Sequence, residues 1–164
     1  MPRAIAYAGF FYRFGAFLVD SILFGVFFWI VSQVIGLFMG TRITRIMQLS
    51  GFNPGSPGIP PELIGSLVDL FFVTLVVNLV LSWLYFASFE SSSMQATPGK
   101  RLLGMKVTDL DGDPISFGMA TGRFLGKIIS TLILLIGYLM AAFTAKRQAL
   151  HDLIAGTVVI MRQE

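Results

Sequence analysis

Between Phe14 and Met39 the chain offers 26 residues with a single charged side chain, Asp20. As a helix rising about 1.5 Å per residue, that run extends for about 39 Å, longer than the ~30 Å hydrocarbon core of a bilayer. It therefore reads as a membrane-spanning helix, and the rest of the chain must accommodate the carboxylate it carries. An acid near mid-bilayer costs about 2.5–3.5 kcal/mol on insertion scales, so Asp20 is expected to face protein or water and to find a partner on another element.

Composition agrees with a membrane setting. Of 164 residues 55% are hydrophobic and 13% charged, with mean hydropathy +0.78, too little polar surface for a soluble domain. One membrane domain over residues 1–164 is expected. There is no cysteine, which excludes disulfides, thiolate metal sites and cysteine nucleophiles. Arg13 interrupts the first apolar stretch and no small-residue cleavage pattern follows, so an uncleaved first span is expected rather than a signal peptide. The net charge of +3 resides on basic residues beside apolar segments, which argues against nucleic acid as a partner.

Residues Pro2 to Tyr12, apolar and aromatic, suggest a short interfacial helix leading into the first span at about 14–39. Arg13 and Asp20 share a helix face but stand about 10 Å apart along the axis, so each should bond something outside its own helix. Arg13 is either a snorkelling anchor or part of a charge network. A Pro/Gly-rich connection, Gly40 to Pro61, must lie outside the hydrocarbon. A second span follows at about 63–89, with Thr74, Asn78, Ser82 and Tyr85 on one polar stripe and Asp69 off it, expected at the interface.

After Glu90 the chain turns polar. Asp111-Gly112 between short alternating stretches predicts a surface β-hairpin over 100–116. Two motifs there fail. Asp109, Asp111 and Asp113 begin a calcium-loop spacing, but Pro114 stands at its glycine position and Ala120 at its glutamate. Thr97-Pro-Gly-Lys100 lacks the first glycine and the hydroxyl residue of a phosphate loop. Ser116 is an N-cap for a helix carrying Gly118, Gly122 and Gly126, a face suited to close helix packing. Arg123 and Lys127 beside that face are candidate counter-charges for Asp20, or else markers of the interface. A third apolar unit, about 117–145, includes a second small-residue seam at Gly137, Ala141 and Ala145. The tail reads as a helix through Ala155, a stop at Gly156 and a strand, Thr157 to Ile160, against the earlier hairpin. His151 and Asp152 are adjacent, about 100° apart on a helix, and make no catalytic dyad by themselves.

Three full spans would set seven Lys/Arg against five. If residues 117–145 dip in and return, the split becomes ten against two, Arg42 and Arg45, a better positive-inside pattern. The expected architecture is an all-α membrane protein: two full spans, a broken or re-entrant third unit, a small cytoplasmic hairpin and both termini cytoplasmic.

Arg13 and Asp20 in the first span, the segment Thr97-Pro-Gly-Lys-Arg-Leu-Leu-Gly-Met-Lys-Val107, Arg123-Phe-Leu, and Arg147-Gln-Ala-Leu-His-Asp-Leu-Ile-Ala-Gly-Thr-Val-Val159 together resemble the RDD family of prokaryotic membrane proteins, from about residue 8 to 161. The resemblance carries the family's arginine and two aspartates onto Arg13, Asp20 and Asp152. It implies a cell-membrane protein with a transport role, cation/proton exchange being proposed for some members. On these readings the chain is a small, homo-oligomeric transporter subunit using Arg13, Asp20, Asp152, Arg123, Lys127, His151 and Asn78. The alternative is a non-enzymatic scaffold or accessory protein with a membrane-protein partner. No cofactor is expected in either case, and no nucleophile–base pair supports an enzyme.

Overall fold

The computed structural model describes residues 6–53, 55 and 57–162. In order come α1 (Phe10–Ser50), α2 (Pro61–Ser91), the short α3 (Pro98–Leu102), β1 (Met105–Asp109), α4 (Phe117–Leu132), α5 (Ile136–Leu139) running into a 3-10 turn at Met140–Ala142, α6 (Leu150–Ile154) and β2 (Thr157–Met161). The chain divides into two compact units, Phe24–Leu81 and the remainder, Met1–Leu23 with Ser82–Glu164.

Two helices, α1 and α2, are long and apolar enough to cross a membrane. Phe11, Trp29, Leu37, Phe38 and Phe71 on them are each more than 60% exposed. Large apolar side chains left uncovered along whole helices require a lipid solvent. The first helix outruns its expected end. Thr41 to Ser50 contains no proline or glycine, so the helix continues to Gly51, whose φ of +64° closes it. There the Gly51 N–H donates to the Gln48 carbonyl and the Phe52 N–H to the Met47 carbonyl, a Schellman stop. The connection expected from Gly40 thus begins eleven residues later. Asp69 pairs with Arg42 at 3.2 Å with both side chains more than half exposed, in keeping with an interfacial place.

The other unit is built on a small antiparallel sheet. Val107 stands opposite Val159 in the β1–β2 register, and both are fully buried with Ala8, Ala16, Ala87, Met105 and Ala120. The expected strand at 157–160 is present and pairs with β1. The Asp-Gly turn forms, the Asp109 carboxylate accepting from the Asp111 and Asp113 N–H groups, but the hairpin expected over 100–116 does not. Its first residues belong to α3 and its return arm is a single bridge from Thr108 to Pro114. β1 takes β2 as its strand partner because the longer apolar Thr157–Met161 covers it better than Asp113-Pro114, where proline lacks a donor. The interfacial helix expected before the first span is not found. Residues 2–5 lie outside the described residues, while Tyr7 bridges Ile160 and the Ala8 N–H donates to the Val159 carbonyl, so this segment extends along the sheet. Backbone pairing offered by the β2 edge outweighs the weak helical preference of so short a segment.

The broken third unit is present: α4 and α5 bend by 116°. Ser116 caps α4 as expected, its hydroxyl accepting from the Met119 N–H. No glycine or proline marks the bend. Leu134 and Leu135 take φ of 56° and 66° there, and tertiary contacts hold the turn. Gly137 folds back onto Ser130 so closely that a Cβ would lie 2.5 Å from its hydroxyl, and the Tyr138 hydroxyl donates to the Lys127 carbonyl at 3.2 Å. The seam ends there: Ala141 is buried, whereas Ala145 is exposed beyond the 3-10 turn.

Candidate buried charge network

Ion pairs concentrate where the start of α1, the end of α2, α3, α4 and α6 meet. At its centre is Arg123 on α4, which is fully buried. Its Nε donates to Glu90 Oε2 at 2.8 Å and its Nη1 to Asp152 Oδ1 at 2.5 Å and to Thr157 Oγ1. Glu90, the penultimate residue of α2 and also fully buried, receives two more cations: Lys100 at 2.6 Å and Lys127 at 3.1 Å, both on Oε1. Lys127 also lies 4.1 Å over the Phe86 ring.

Asp152 sits between two arginines. Its Oδ2 accepts from Arg13 Nη1 and from the Ala149 N–H at 3.1 Å, so it closes the first turn of α6 while binding α1. Arg13 in turn donates from Nε to the Ala8 carbonyl and from Nη2 to the Arg147 carbonyl. One guanidinium thus joins the segment before α1, α6 and the loop after the bent pair. It is a network member and no free anchor. The contact also shows that the chain leaving the bent pair returns to the end at which α1 begins.

Burial acts to raise the Asp152 carboxyl, but Arg123, Arg13 and His151 together hold it well below the usual carboxylate range. His151 is pushed down to about 3, because burial and the nearby Arg123, Lys127 and Lys100 outweigh Asp152; it is neutral at ordinary pH. Its ring packs on Tyr138 at 5.3 Å and its Nε2 lies 3.4 Å from Asp152 Oδ1. Lys100 is lowered to about 8, by burial first and then by Lys127 and Arg123, against the pull of Glu90.

Asp20 is held differently from the expectation. Neither Arg123 nor Lys127 neutralises it; both are engaged by Glu90. Only 3% exposed, Asp20 accepts from the Tyr85 hydroxyl at 3.0 Å, the Gly99 N–H at 2.8 Å and the Thr97 hydroxyl at 2.5 Å. Thr97 is also the N-cap of α3, its oxygen accepting from the Lys100 N–H. The failed phosphate-loop segment therefore does grip an anion, the carboxylate of its own α1. Gly99 permits the approach: a Cβ there would collide with the Ala16 carbonyl oxygen and fall 2.9 Å from the Asp20 carboxyl carbon.

The other expected residues separate. Asn78 lies in the Phe24–Leu81 unit and donates to the Thr74 carbonyl of its own helix, while Tyr85, from the same stripe, donates to Asp20. Of the three glycines on α4, Gly126 is seated on α6, where a Cβ would fall 2.9 Å from that of His151. Gly122 meets Ala155 at an ordinary 3.8 Å, and Gly118 faces only its own cap. Sequence reasoning missed Glu90 and Lys100. A signal existed for Glu90: an acid placed directly after an apolar span, in a chain with Arg123 and Lys127 to satisfy.

The RDD family model matches residues 7–156 of this chain. An uncharacterized protein of Bacillus subtilis, YxaI, is 32% identical over 157 residues, 94% of this chain and 97% of its own length. The uncharacterized membrane protein YteJ of the same organism is 29% identical over 162 residues, covering 94% of this chain and 81% of its own. A proline-rich antigen homolog of Mycobacterium tuberculosis is 34% identical over 101 residues, 61% of this chain and 41% of that protein. No solved structure matches the chain.

Proposed function

The chain belongs to the RDD family of membrane proteins, and from that premise we propose that it is a non-enzymatic scaffold or accessory subunit whose buried charges form a rigid joint. One observation carries this reading: both buried carboxylates at the centre, Glu90 and Asp152, are paired by cations from at least two other elements. Groups so paired resist titration near neutral pH, as the lowered Asp152 illustrates. Its partners are the bilayer and a second membrane protein or further copies of this chain. The positive-inside pattern favours the cell membrane with cytoplasmic termini.

A second reading, a subunit for proton or cation exchange, is favoured by the charge balance. Among the described residues, four cations, Arg13, Lys100, Arg123 and Lys127, pair with two carboxylates, Glu90 and Asp152, and excess buried charge invites ion or proton movement. Purified protein in vesicles containing a pH dye separates the two. For a joint, wild-type protein gives no sodium- or potassium-dependent proton flux above empty vesicles. Flux that disappears in a folded Asp20→Asn variant would overturn the joint and establish exchange.

A further inference from the structure

The charges of the network do not balance. Among the described residues, Arg13, Lys100, Arg123 and Lys127 supply four positive charges, against two on Glu90 and Asp152 and at most a third on Asp20. At least one cation is left over in a setting where uncompensated charge is costly. The hydrogen-bond donors do not balance either. An ammonium carries three N–H groups, yet Lys100 and Lys127 each give one to an oxygen, and that oxygen is Glu90 Oε1 for both. Arg123 is fully buried, and its Nη2 has no hydrogen-bond partner among the described residues. An anion with several acceptor oxygens answers both shortfalls.

Spacing and depth decide which anion fits. The two ammonium groups approach one oxygen at 2.6 and 3.1 Å, so they stand within about 6 Å of each other, a gap that neighbouring oxygens of one phosphate bridge with ordinary charge-assisted bonds. Both lysines keep an open edge, 12% of the side chain for Lys100 and 15% for Lys127. Glu90 is the acid nearest such an anion, and the three cations it binds offset the repulsion. Depth favours a lipid as the source. Glu90 is the penultimate residue of α2 and Arg13 lies in the first turn of α1, so the network sits where the apolar helices end, at the level of the bilayer phosphates. Phe86, one turn before Glu90, places its ring 4.1 Å from Lys127 Nζ and so gives the lysine an aromatic neighbour on its hydrocarbon side. A zwitterionic headgroup brings its own cation and leaves the surplus charge as it was.

We propose that Lys100 and Lys127 form a binding site for a phosphate anion, with Arg123 adding charge through Glu90, and that the anion is the headgroup of an acidic phospholipid. Bound there, the phosphate ties α3 to α4 across the end of α2. The site goes beyond both functional readings above, since a joint or an exchanger can equally carry it, and its loss decides neither.

Competitive acetylation of the unaltered full-length protein at neutral pH tests it, in nanodiscs of phosphatidylcholine alone or mixed with phosphatidylglycerol. Phosphatidylglycerol is expected to slow labelling of Lys100 and Lys127 about tenfold relative to exposed Lys146. Inorganic phosphate added to the phosphatidylcholine nanodiscs, against chloride at equal ionic strength, separates the two sources. Protection by phosphatidylglycerol and not by inorganic phosphate upholds the headgroup; protection by inorganic phosphate alone overturns the assignment to a lipid. Native mass spectrometry supplies a second measurement. Lys127→Gln, which leaves Glu90 paired with Lys100 and Arg123, is expected to hold phosphatidylglycerol about tenfold more weakly, whereas Lys127→Arg and Lys146→Gln retain it. Lysine labelling that neither phosphate changes relative to Lys146, or lipid retention in Lys127→Gln equal to wild type, overturns the site itself.

Discussion

Asp20 and Asp152 show that two buried carboxylates in one fold are stabilised by different chemistry. Asp152 is matched by formal charge from Arg13 and Arg123, whereas three hydrogen-bond donors hold Asp20. Asp152→Asn leaves two guanidiniums facing a neutral amide, and breaking a buried pair in this way costs about 3–5 kcal/mol. Asp20→Asn keeps one acceptor and turns an NH2 toward a donor, a loss of about 1–3 kcal/mol. Thermal unfolding in detergent should rank them in that order. Gly99→Ala drives a methyl group into the Ala16 carbonyl, with an expected loss of about 1–3 kcal/mol. Gly122→Ala meets an ordinary contact and should be neutral or stabilising by up to about 1 kcal/mol. Equal losses for the two glycines would contradict the close approach of α3 to α1.

Among the elements, the bent pair depends most on tertiary contacts. Leu134 and Leu135 adopt a left-handed backbone that costs about 1–2 kcal/mol each for side chains of this kind, and the fold-back of Gly137 on Ser130 offsets it. The bend makes a labelling prediction. In a chain without cysteine, single cysteines at Asp111 and Lys146 should react with an impermeant thiol reagent from the same side of the membrane, and one at Ser50 from the other. Reaction of position 146 together with position 50 would mean that residues 117–145 cross completely.

For the molecule as a whole, the network sets how stability varies with pH. His151 is folded in its neutral form, so unfolded chain takes up a proton that folded chain refuses as pH drops from 6.5 toward 3, and stability falls through that window. Asp152 adds a second loss below its unfolded value of about 3.8, where protonation deprives the arginines of their counter-charge. The melting temperature should therefore decline between pH 7 and pH 4, less steeply in His151→Gln. Identical slopes would place the acid sensitivity elsewhere.

The sequence by itself determined the spans, the cap at Ser116, the stop at Gly156, the strand after it and the family. Each of these is written in local period, in a capping residue or in a contiguous motif, where neighbours along the chain suffice. It also picked out Arg13, Asp20, Asp152 and Arg123 as residues needing partners. Who answers whom was decided by the tertiary structure. Arg123 is equally compatible in sequence with Asp20, Glu90 or Asp152, since a charge specifies the sign of its partner but not its address. The choice came from packing: Gly126 seats α6 against α4, bringing Asp152 to Arg123, and Gly99 lets α3 close on α1, giving Asp20 its donors without a cation. Contacts across 29 to 139 residues of chain leave no local trace, because they exist only once the elements have docked.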